Sequence, residues 1–358
     1  MEKTTILTGG AGFIGSRIAS GLTNGDERIV AIDNMHPQVH KSVDRPSNLP
    51  ENVELIVADV TDADFWDRFL ASCTPGTVVH LAAETGTGQS LTESNRHAMV
   101  NVVGTTQMLD AFARNKQIPE HVILTSSRAV YGEGAWKSAS GEVFYPGLRN
   151  HSALEDNKWD IFDSGGIAAT PLAHRAVNTF PKPSSIYGAT KLTQEQIISC
   201  WASAMGIPAT IFRFQNVYGP GQSPFNPYTG IITLFHRIAS AGGTIEVYED
   251  GQVGRDFVYI DDVVEACLAA VKNPARGIRY LDVGTGVATT IIQAAEIISA
   301  LYSAPHPHIS GKFRDGDVRW AIADTEDLER ELGVRSRTDF ATVGARRVGE
   351  WLKAEKII

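Results

Sequence analysis

A glycine-rich turn near the start of the chain limits the possible folds more than any other feature. The segment Thr8-Gly-Gly-Ala-Gly-Phe-Ile-Gly15 places glycines at positions 9, 12 and 15, between an apolar strand pattern and a helical pattern. Gly9 allows the tight turn, Gly12 lets the backbone approach a pyrophosphate, and Gly15 lets the helix pack close to the strand. The first N–H groups of that helix attract phosphate. The turn therefore predicts a dinucleotide site.

The residue that ends the second predicted strand indicates which dinucleotide binds. Asp33 lies about 20 residues beyond the glycine turn, at the distance expected for a carboxylate that binds the adenine ribose diol and repels a 2′-phosphate. Asn34 and Met35 offer no cation for such a phosphate, so NAD is favoured over NADP. Asp59 ends the third predicted strand and either contacts the adenine or serves as a turn or helix-capping residue.

Strand and helix patterns alternate regularly through the first 130 residues. Near-continuous apolar strands joined by helices predict an α/β fold, a Rossmann-type doubly wound parallel sheet covered on both faces. The predicted strands occupy positions 6–7, 28–33, 53–58, 77–82 and 121–125. The predicted helices lie near positions 13–22, 63–72 and 96–114.

The pattern changes after the fifth strand. Residues 133–183 show no clear period and predict a long insertion that shapes a pocket. A helix near 185–205 and a strand at 209–213 resume the alternation. Beyond Asn216 the pattern predicts a smaller, mixed α/β lobe that binds substrate. We therefore expect a dinucleotide-binding domain over 1–215, with later segments returning to it, and a mainly substrate-binding lobe over 216–358.

A tyrosine and a lysine four residues apart form the candidate catalytic pair. Tyr187 and Lys191 share one face of a predicted helix, where the ammonium would lower the pKa of the phenol toward the working range. Alone, such a spacing is more often a solvated helix face. Ser127 strengthens the catalytic interpretation because it follows the fifth strand, at the carboxyl edge where ligands of such sheets bind.

Together these motifs resemble the extended short-chain dehydrogenase/reductase family of NAD-dependent nucleotide-sugar epimerases and dehydratases. The resemblance also includes Asn101 and three later segments, Arg213-Phe-Gln-Asn-Val-Tyr-Gly-Pro-Gly221, Gly254-Arg-Asp-Phe-Val-Tyr-Ile-Asp-Asp262 and Arg314-Asp-Gly-Asp317. It implies proton transfer by Tyr187, ribose binding by Lys191 and substrate orientation by Ser127. The expected cofactor residues are Gly9, Gly12, Phe13, Ile14, Gly15, Asp33, Asn34, Asp59, Val60, Leu81, Ala82, Ala83, Asn101, Tyr187 and Lys191. The expected residues for a nucleotide-diphosphate sugar are Glu84, Thr87, Ser127, Arg128, Asn216, Arg255 and Arg314.

The residues after the catalytic serine indicate the type of reaction. Dehydratases and decarboxylases of the family carry a carboxylate there, whereas this chain has Arg128 and Ala129. The reaction type that remains is a 4-epimerisation, in which C4 of the sugar is oxidised and then reduced again from the other face. Segments 33–40, 82–90, 213–216 and 226–230 resemble the dTDP-L-rhamnose 4-epimerases and their relatives. In the second of these segments, Glu84, Thr87 and Gln89 either contact sugar hydroxyls or only shape the loop.

Composition limits the partners. A formal charge of −9 gives no basic field for nucleic acid or an anionic membrane, so we expect neither. Three widely spaced cysteines fit reduced thiols in the cytoplasm, and the paired histidines lack a third metal ligand, so we expect no metal. The resemblance implies a homodimer through the helices near 96–114 and 185–205. An NADH-dependent 4-ketosugar reductase and a non-catalytic NAD sensor remain alternatives.

Overall fold

The computed structural model describes residues 3–23, 25, 28–40, 42–224 and 230–358, so most of the segment 226–230 lies outside it. The strands are β1 (Lys3–Thr8), β2 (Arg28–Asp33), β3 (Glu54–Val57), β4 (Thr74–His80), β5 (His121–Ser127), β6 (Trp136–Lys137), β7 (Val143–Phe144), β8 (Thr170–Pro171), β9 (Ala209–Phe214), β10 (Asn216–Tyr218), β11 (Glu246–Val247), β12 (Gly254–Arg255), β13 (Phe257–Tyr259), β14 (Ile278–Val283), β15 (Thr289–Thr290), β16 (His308–Ile309) and β17 (Trp320–Ala321). The helices are α1 (Phe13–Leu22), α2 (Ala63–Leu70), α3 (Thr87–Thr92), α4 (Ser94–Ala98), α5 (Gly104–Arg114), α6 (His151–Glu155), α7 (Ile186–Met205), α8 (Ile231–Ser240), α9 (Ile260–Lys272), α10 (Ile291–Leu301), α11 (Glu326–Leu332) and α12 (Ala345–Ala354).

Seven parallel strands form the central sheet in the order β14-β9-β5-β4-β1-β2-β3. Buried apolar side chains cover both faces of this sheet, as the near-continuous apolar strands predicted. The strand order reverses between β1 and β4, and ligands of doubly wound sheets bind outside the carboxyl ends of the strands at such a point. The predicted doubly wound parallel sheet is confirmed.

The helical segment near 96–114 differs from the prediction in its geometry. A π-helical turn over Met99–Val103 separates α4 from α5, and the buried Asn101 lies within this turn. Such turns contain one extra residue per turn and are frequent at functional sites. A uniform helical period therefore could not reveal this interruption.

A separate hydrophobic cluster forms the core of the C-terminal lobe. It joins α8, α10 and α12 through side chains such as Phe235, Ile298 and Leu352. Two elements from the C-terminal half of the chain nevertheless belong to the first domain. Strand β14 is an edge strand of the central sheet, and α9 packs against α1. The division at residue 216 remains a prediction.

The insertion at 133–183 packs against the C-terminal lobe. It contains the small sheet β7-β6-β8 and the short helix α6. His174 forms a parallel bridge with Ala323, and Arg149 pairs with Glu249. The insertion therefore contributes to the junction of the lobes, and its lack of period reflects many short elements.

Candidate active site

The glycine turn between β1 and α1 leaves little space for side chains. Gly9 has a φ of +67°, and a Cβ there would lie 2.8 Å from the backbone nitrogen of Ala82. A Cβ on Gly15 would collide with the Gly9 carbonyl oxygen. Helix α1 starts directly after this turn, so its first N–H groups are available to a phosphate. Four predicted cofactor residues form the junction: Gly12, Phe13, Ile14 and Gly15.

Asp33 lies beside this turn, at the end of β2. Its carboxylate accepts hydrogen bonds from the backbone N–H groups of Ala11, at 3.1 Å, and Met35, at 3.0 Å. His40 Nε2 lies 3.5 Å from Asp33 Oδ1. A carboxylate has about four acceptor positions, so Asp33 retains capacity for a ribose diol. The cradle and this carboxylate both fit NAD.

Asp59 and Asn34 contact each other at the adjacent strand end. Asn34 Nδ2 donates to Asp59 Oδ2 at 3.0 Å, and Thr61 donates to Asp59 Oδ1 through its backbone and hydroxyl. Burial opposes ionisation, but the hydrogen bonds from Thr61 and Asn34 hold the pKa of Asp59 below its ordinary value. Asp59 therefore shapes a turn, and contact with adenine remains a proposal. The neighbouring Val60 is buried.

A side-chain bridge passes from the loop after β2 to the helices after β4. Gln38 and Gln89 exchange two amide hydrogen bonds of 3.0 Å each. Arg96 pairs with Glu84 at 2.7 Å and with Glu93 at 2.8 Å. We call Gln38 and Gln89 the amide clasp. Because β1 lies between β2 and β4, the clasp crosses the carboxyl end of β1, where the glycine turn lies.

Asn101 fixes the loop that follows β4. Its amide exchanges hydrogen bonds with the backbone of Glu84 and donates to Thr190 Oγ1 at 3.0 Å. The preceding residues of that loop, Leu81, Ala82 and Ala83, leave β4 beside the glycine turn, where Leu81 N donates to Thr8 O. Asn101 is thus a structural link within the predicted cofactor site. Thr87 begins α3, beyond this loop.

Ser127 and Tyr187 meet at the carboxyl end of β5. Burial raises the pKa of the Tyr187 phenol, while a hydrogen bond with the Ser127 hydroxyl and the charge of Arg128 lower it. Burial lowers the pKa of Lys191 to about 7, against the opposing effect of Glu195. The Lys191 ammonium donates to Gln194 Oε1. The charge of Arg128 therefore acts on the phenol. From the sequence, Arg128 was expected only to bind substrate.

Arg128, Asn216 and Arg255 form the polar wall next to Tyr187. Arg128 Nε donates to Asn216 Oδ1 at 3.2 Å, whereas Arg255 pairs with Asp317 at 2.6 Å. Burial and the charge of Arg255 lower the pKa of Arg128 to about 10, whereas the charge of Asp317 opposes this effect. Arg314 is exposed and stacks over the Tyr248 ring at 5.2 Å.

Buried charged residues behind this wall were not singled out from the sequence. Arg149 lies 3.3 Å from Glu133 and 2.7 Å from Glu249. Glu133 also accepts hydrogen bonds from the Arg319 backbone. Burial raises the pKa of Glu133 to about 7, although Arg149 opposes this effect. These residues come from distant parts of the chain, so sequence spacing gave no signal for them.

Two kinds of feature are absent from the described residues. No group of three or more histidine, cysteine or acidic side chains in those ranges could hold a metal ion. Within the same ranges, none of the helices combines the length and the apolar character that crossing a membrane requires.

Comparison with known proteins identifies the family. The model of the NAD dependent epimerase/dehydratase family matches residues 5–147 and 165–284. The chain belongs to this family. The gap between the two matched ranges lies inside the insertion, so this part of the chain varies from the NAD dependent epimerase/dehydratase pattern.

Individual relatives match over almost their whole length. The chain is 51% identical over 356 residues to the dTDP-L-rhamnose 4-epimerase of Burkholderia thailandensis, covering 99% of this chain and 96% of that protein. The UDP-glucose 4-epimerase of Thermotoga maritima, solved with UDP-glucose, superposes with a TM-score of 0.77 at 25% identity and 99% coverage of both chains. MoeE5, solved with UDP-glucuronic acid and NAD, gives a TM-score of 0.74 at 28% identity, covering 98% of this chain and 99% of that one.

The family assignment settles three expectations. Membership of the nucleotide-sugar epimerase and dehydratase family, the Rossmann-type fold and NAD as cofactor are confirmed. The chain is an enzyme of the NAD dependent epimerase/dehydratase family. The role of each individual site residue remains a prediction.

Proposed function

We propose that this enzyme is a 4-epimerase that interconverts dTDP-L-rhamnose and dTDP-6-deoxy-L-talose. The observation that carries the proposal is the 51% identity to a dTDP-L-rhamnose 4-epimerase over nearly the full length of both proteins. The chemistry agrees with the site, because Arg128 and Ala129 follow Ser127, where a dehydratase would need a carboxylate.

Tyr187 performs the proton transfer in this proposal, and three other side chains support it. Tyr187 accepts the proton of the sugar O4 hydroxyl and later returns it, while Ser127 donates a hydrogen bond to the same oxygen. Arg128 stabilises the phenolate by its charge, and Lys191 binds the ribose next to the nicotinamide. NAD held by the glycine turn, Asp33 and Lys191 would supply the reversible hydride chemistry that oxidation and reduction at C4 require. Because the two half-reactions cancel, no net redox change occurs.

The substrate diphosphate lies along the polar wall in this proposal. Within the described part of the chain, Arg128 hydrogen-bonds to the neutral Asn216 amide and not to a carboxylate, so its charge is available to an anion. Guanidinium groups match phosphate oxygens in geometry and charge. Arg255 shares its charge with Asp317, and Arg314 lies at the exposed rim. Glu84 and Thr87 remain candidates for contacts to the sugar.

NMR of the sugar ring protons tests the reaction. Purified enzyme is incubated with dTDP-L-rhamnose without added cofactor, and a second set of signals from dTDP-6-deoxy-L-talose should grow to equilibrium. No reaction with this substrate would reject the sugar assignment, and UDP- and GDP-hexoses would then be compared. Consumption of NADH with a 4-ketosugar, without epimerisation, would identify a reductase instead.

We also infer a homodimer formed through α4, α5 and α7. Leu91, Met99 and Met205 are exposed apolar side chains on or beside these helices, at 60%, 42% and 42% exposure. Pairing of this surface with its copy would remove them from water. Sedimentation at micromolar concentration should give twice the 38.7 kDa chain mass, and a single monomer species would disprove the dimer.

A further inference from the structure

A buried chain of hydrogen bonds runs from Lys191 to the strand that precedes the glycine turn. Gln194 accepts from the Lys191 ammonium and its amide nitrogen lies 3.1 Å from His80 Nε2. His80 Nδ1 lies 2.7 Å from Thr8 Oγ1, which also accepts from the Ala82 backbone at 3.2 Å. All four side chains are at most 2% exposed. The chain thus connects α7, β4 and β1 in the interior.

The donor and acceptor roles in this chain follow from the charge of Lys191. An ammonium has only donors, so it must face the Gln194 carbonyl oxygen, and the Gln194 NH2 group must face His80. His80 Nε2 lies 3.1 Å from this amide nitrogen and 2.9 Å from Thr105 Oγ1, and His80 Nδ1 faces Thr8 Oγ1, so a neutral ring has a partner at each nitrogen in either tautomer. Burial and the charge of Lys191 lower the pKa of His80 to about 3, in agreement with a neutral ring.

Thr105 provides an independent check of this orientation. Its hydroxyl donates to the Asn101 carbonyl oxygen at 2.6 Å, so its proton is already used. Its oxygen can therefore accept the second Gln194 N–H, at 2.9 Å. Reversing the amide would place NH2 against the ammonium and remove the bonds to both Lys191 and Thr105.

We propose that Gln194, oriented by His80 and Thr105, is a positioning residue that keeps Lys191 charged and fixed beside the cofactor site. The inference rests on the proposed role of Lys191 in binding ribose. It assigns a task to three buried polar residues that the reaction scheme does not use, Gln194, His80 and Thr105. Buried polar groups of this kind are costly unless every bond is satisfied, so one defined arrangement is enforced.

Other charged groups near Lys191 are accounted for. Glu195 follows on the same helix, but it pairs with Arg213 of β9 at 2.6 Å and accepts from Ser126 of β5 at 2.5 Å. The titratable group that β4 contributes to the surroundings of Lys191 is His80, which is neutral. Tyr187 precedes Lys191 by one turn of α7. The direct acceptor of the ammonium is therefore Gln194, whereas Glu195 acts at a distance.

Two opposite substitutions test the proposal. Gln194→Met has similar length but no acceptor, so the neutral lysine should be favoured and the alkaline limb of the kcat/KM profile should move down by about one to two pH units. Gln194→Glu places a carboxylate beside Lys191 and should move that limb upward. Gln252→Met, at an exposed position outside the helices of the inferred dimer, should leave the profile unchanged.

A second readout does not depend on substrate. In ¹⁵N NMR of the histidine rings, Gln194→Met removes the amide N–H beside His80 Nε2 and should shift the neutral ring toward the Nε2–H form that can donate to Thr105. An unchanged His80 spectrum together with an unchanged pH profile would overturn the proposal. It would also be wrong if both Gln194 variants moved the limb in the same direction. If Gln194→Met changes the His80 spectrum in this way but the wild-type enzyme does not epimerise sugars, the proposed function is wrong and the positioning inference stands.

Discussion

At the scale of single residues, the phenol of Tyr187 is subject to opposing effects. Burial raises its pKa, whereas the Ser127 hydroxyl and the Arg128 charge lower it. The phenol is therefore held near two groups that favour its ionised form, in a site that otherwise disfavours charge. This balance suits a group that must take up and release a proton in the same catalytic cycle.

Removing the Tyr187 hydroxyl should abolish most of the activity. A positioned acid–base group contributes about 10²- to 10⁴-fold to the rate, so Tyr187→Phe should lower kcat by that factor and change KM little. The measurement is the NMR epimerisation assay. Tyr145→Phe, in the insertion, is the control and should retain wild-type kcat. A Tyr187→Phe enzyme with near wild-type kcat would assign the proton transfer to another group.

Arg128 should contribute more to diphosphate binding than an arginine on the exposed surface. A hydrogen bond to a charged group contributes about 1.5 to 3 kcal/mol, so Arg128→Met should weaken binding of dTDP about 10- to 100-fold by calorimetry. Arg335→Met removes the same charge from the surface, where the side chain is 71% exposed and paired with Glu329. Equal affinities of the two variants would show that the diphosphate does not contact Arg128.

Residues that follow a strand or a glycine turn could be assigned from the sequence. The structure places Asp33 and Ser127 at strand ends, where the alternating pattern predicted them. In contrast, the pairing of Arg255 with Asp317 and the contact of Gln194 with His80 join positions 62 and 114 apart. Such contacts depend on the packing of distant elements, and no local period encodes them.

At the scale of elements, the amide clasp joins two segments that belong to different sides of β1. The loop after β2 and the helix α3 are held together by Gln38 and Gln89 across the glycine turn. Glu93 accepts a further bond from Gln89 at 2.9 Å. Dinucleotides lie across the carboxyl ends of these strands, so the clasp is placed to slow the escape of the cofactor.

Breaking the clasp should therefore release NAD more readily. Gln89→Leu removes both amide bonds, and the loss of about 1 to 2 kcal/mol should raise the dissociation rate about 5- to 30-fold. The NAD content of the purified protein after extended dialysis, measured by chromatography, gives the answer. Gln252→Leu, at an exposed position outside the helices of the inferred dimer, serves as the control. Equal retention in both variants would mean that the clasp shapes the loop without holding the cofactor.

Element boundaries were predicted best where the period is regular. Helix α1 spans the predicted 13–22, whereas 96–114 contains a π-helical turn and 133–183 contains three two-residue strands. Two residues are too few for an alternating pattern. These short strands form because the insertion packs on the C-terminal lobe, through contacts such as Arg149 with Glu249.

At the scale of the whole molecule, buried ionisable groups are spread through both lobes. Burial lowers the pKa of His80 and His174 to about 3, and of His121 and His236 to about 4. Each of these histidines has a folded-state pKa below the ordinary value of about 6.5. They therefore contribute stability above pH 6.5 that is lost as the pH falls toward 4, because the unfolded chain binds the protons first.

Two buried carboxyl groups act in the opposite direction. Burial raises the pKa of Glu133 and Asp282 to about 7. A raised carboxyl pKa stabilises the fold below the unfolded value, and this contribution disappears as the pH rises through 7. Between about pH 6 and 5, the four histidines are protonated mainly in the unfolded chain. The two carboxyl groups are protonated mainly in the folded protein. The unfolded state should therefore hold about two more protons.

Stability should consequently decrease when the pH is lowered from 6.5 to 5. A difference of two protons corresponds to about 3 kcal/mol per pH unit at the steepest point, measured as the free energy of unfolding in urea. His236→Gln removes one of the four buried rings from the balance and should reduce the slope by about one proton. His308→Gln, at an exposed position, should leave the slope unchanged. A stability that is constant or rises over this interval would show that the buried carboxyl groups outweigh the histidines, so that acid protonates the folded enzyme more readily than the unfolded chain.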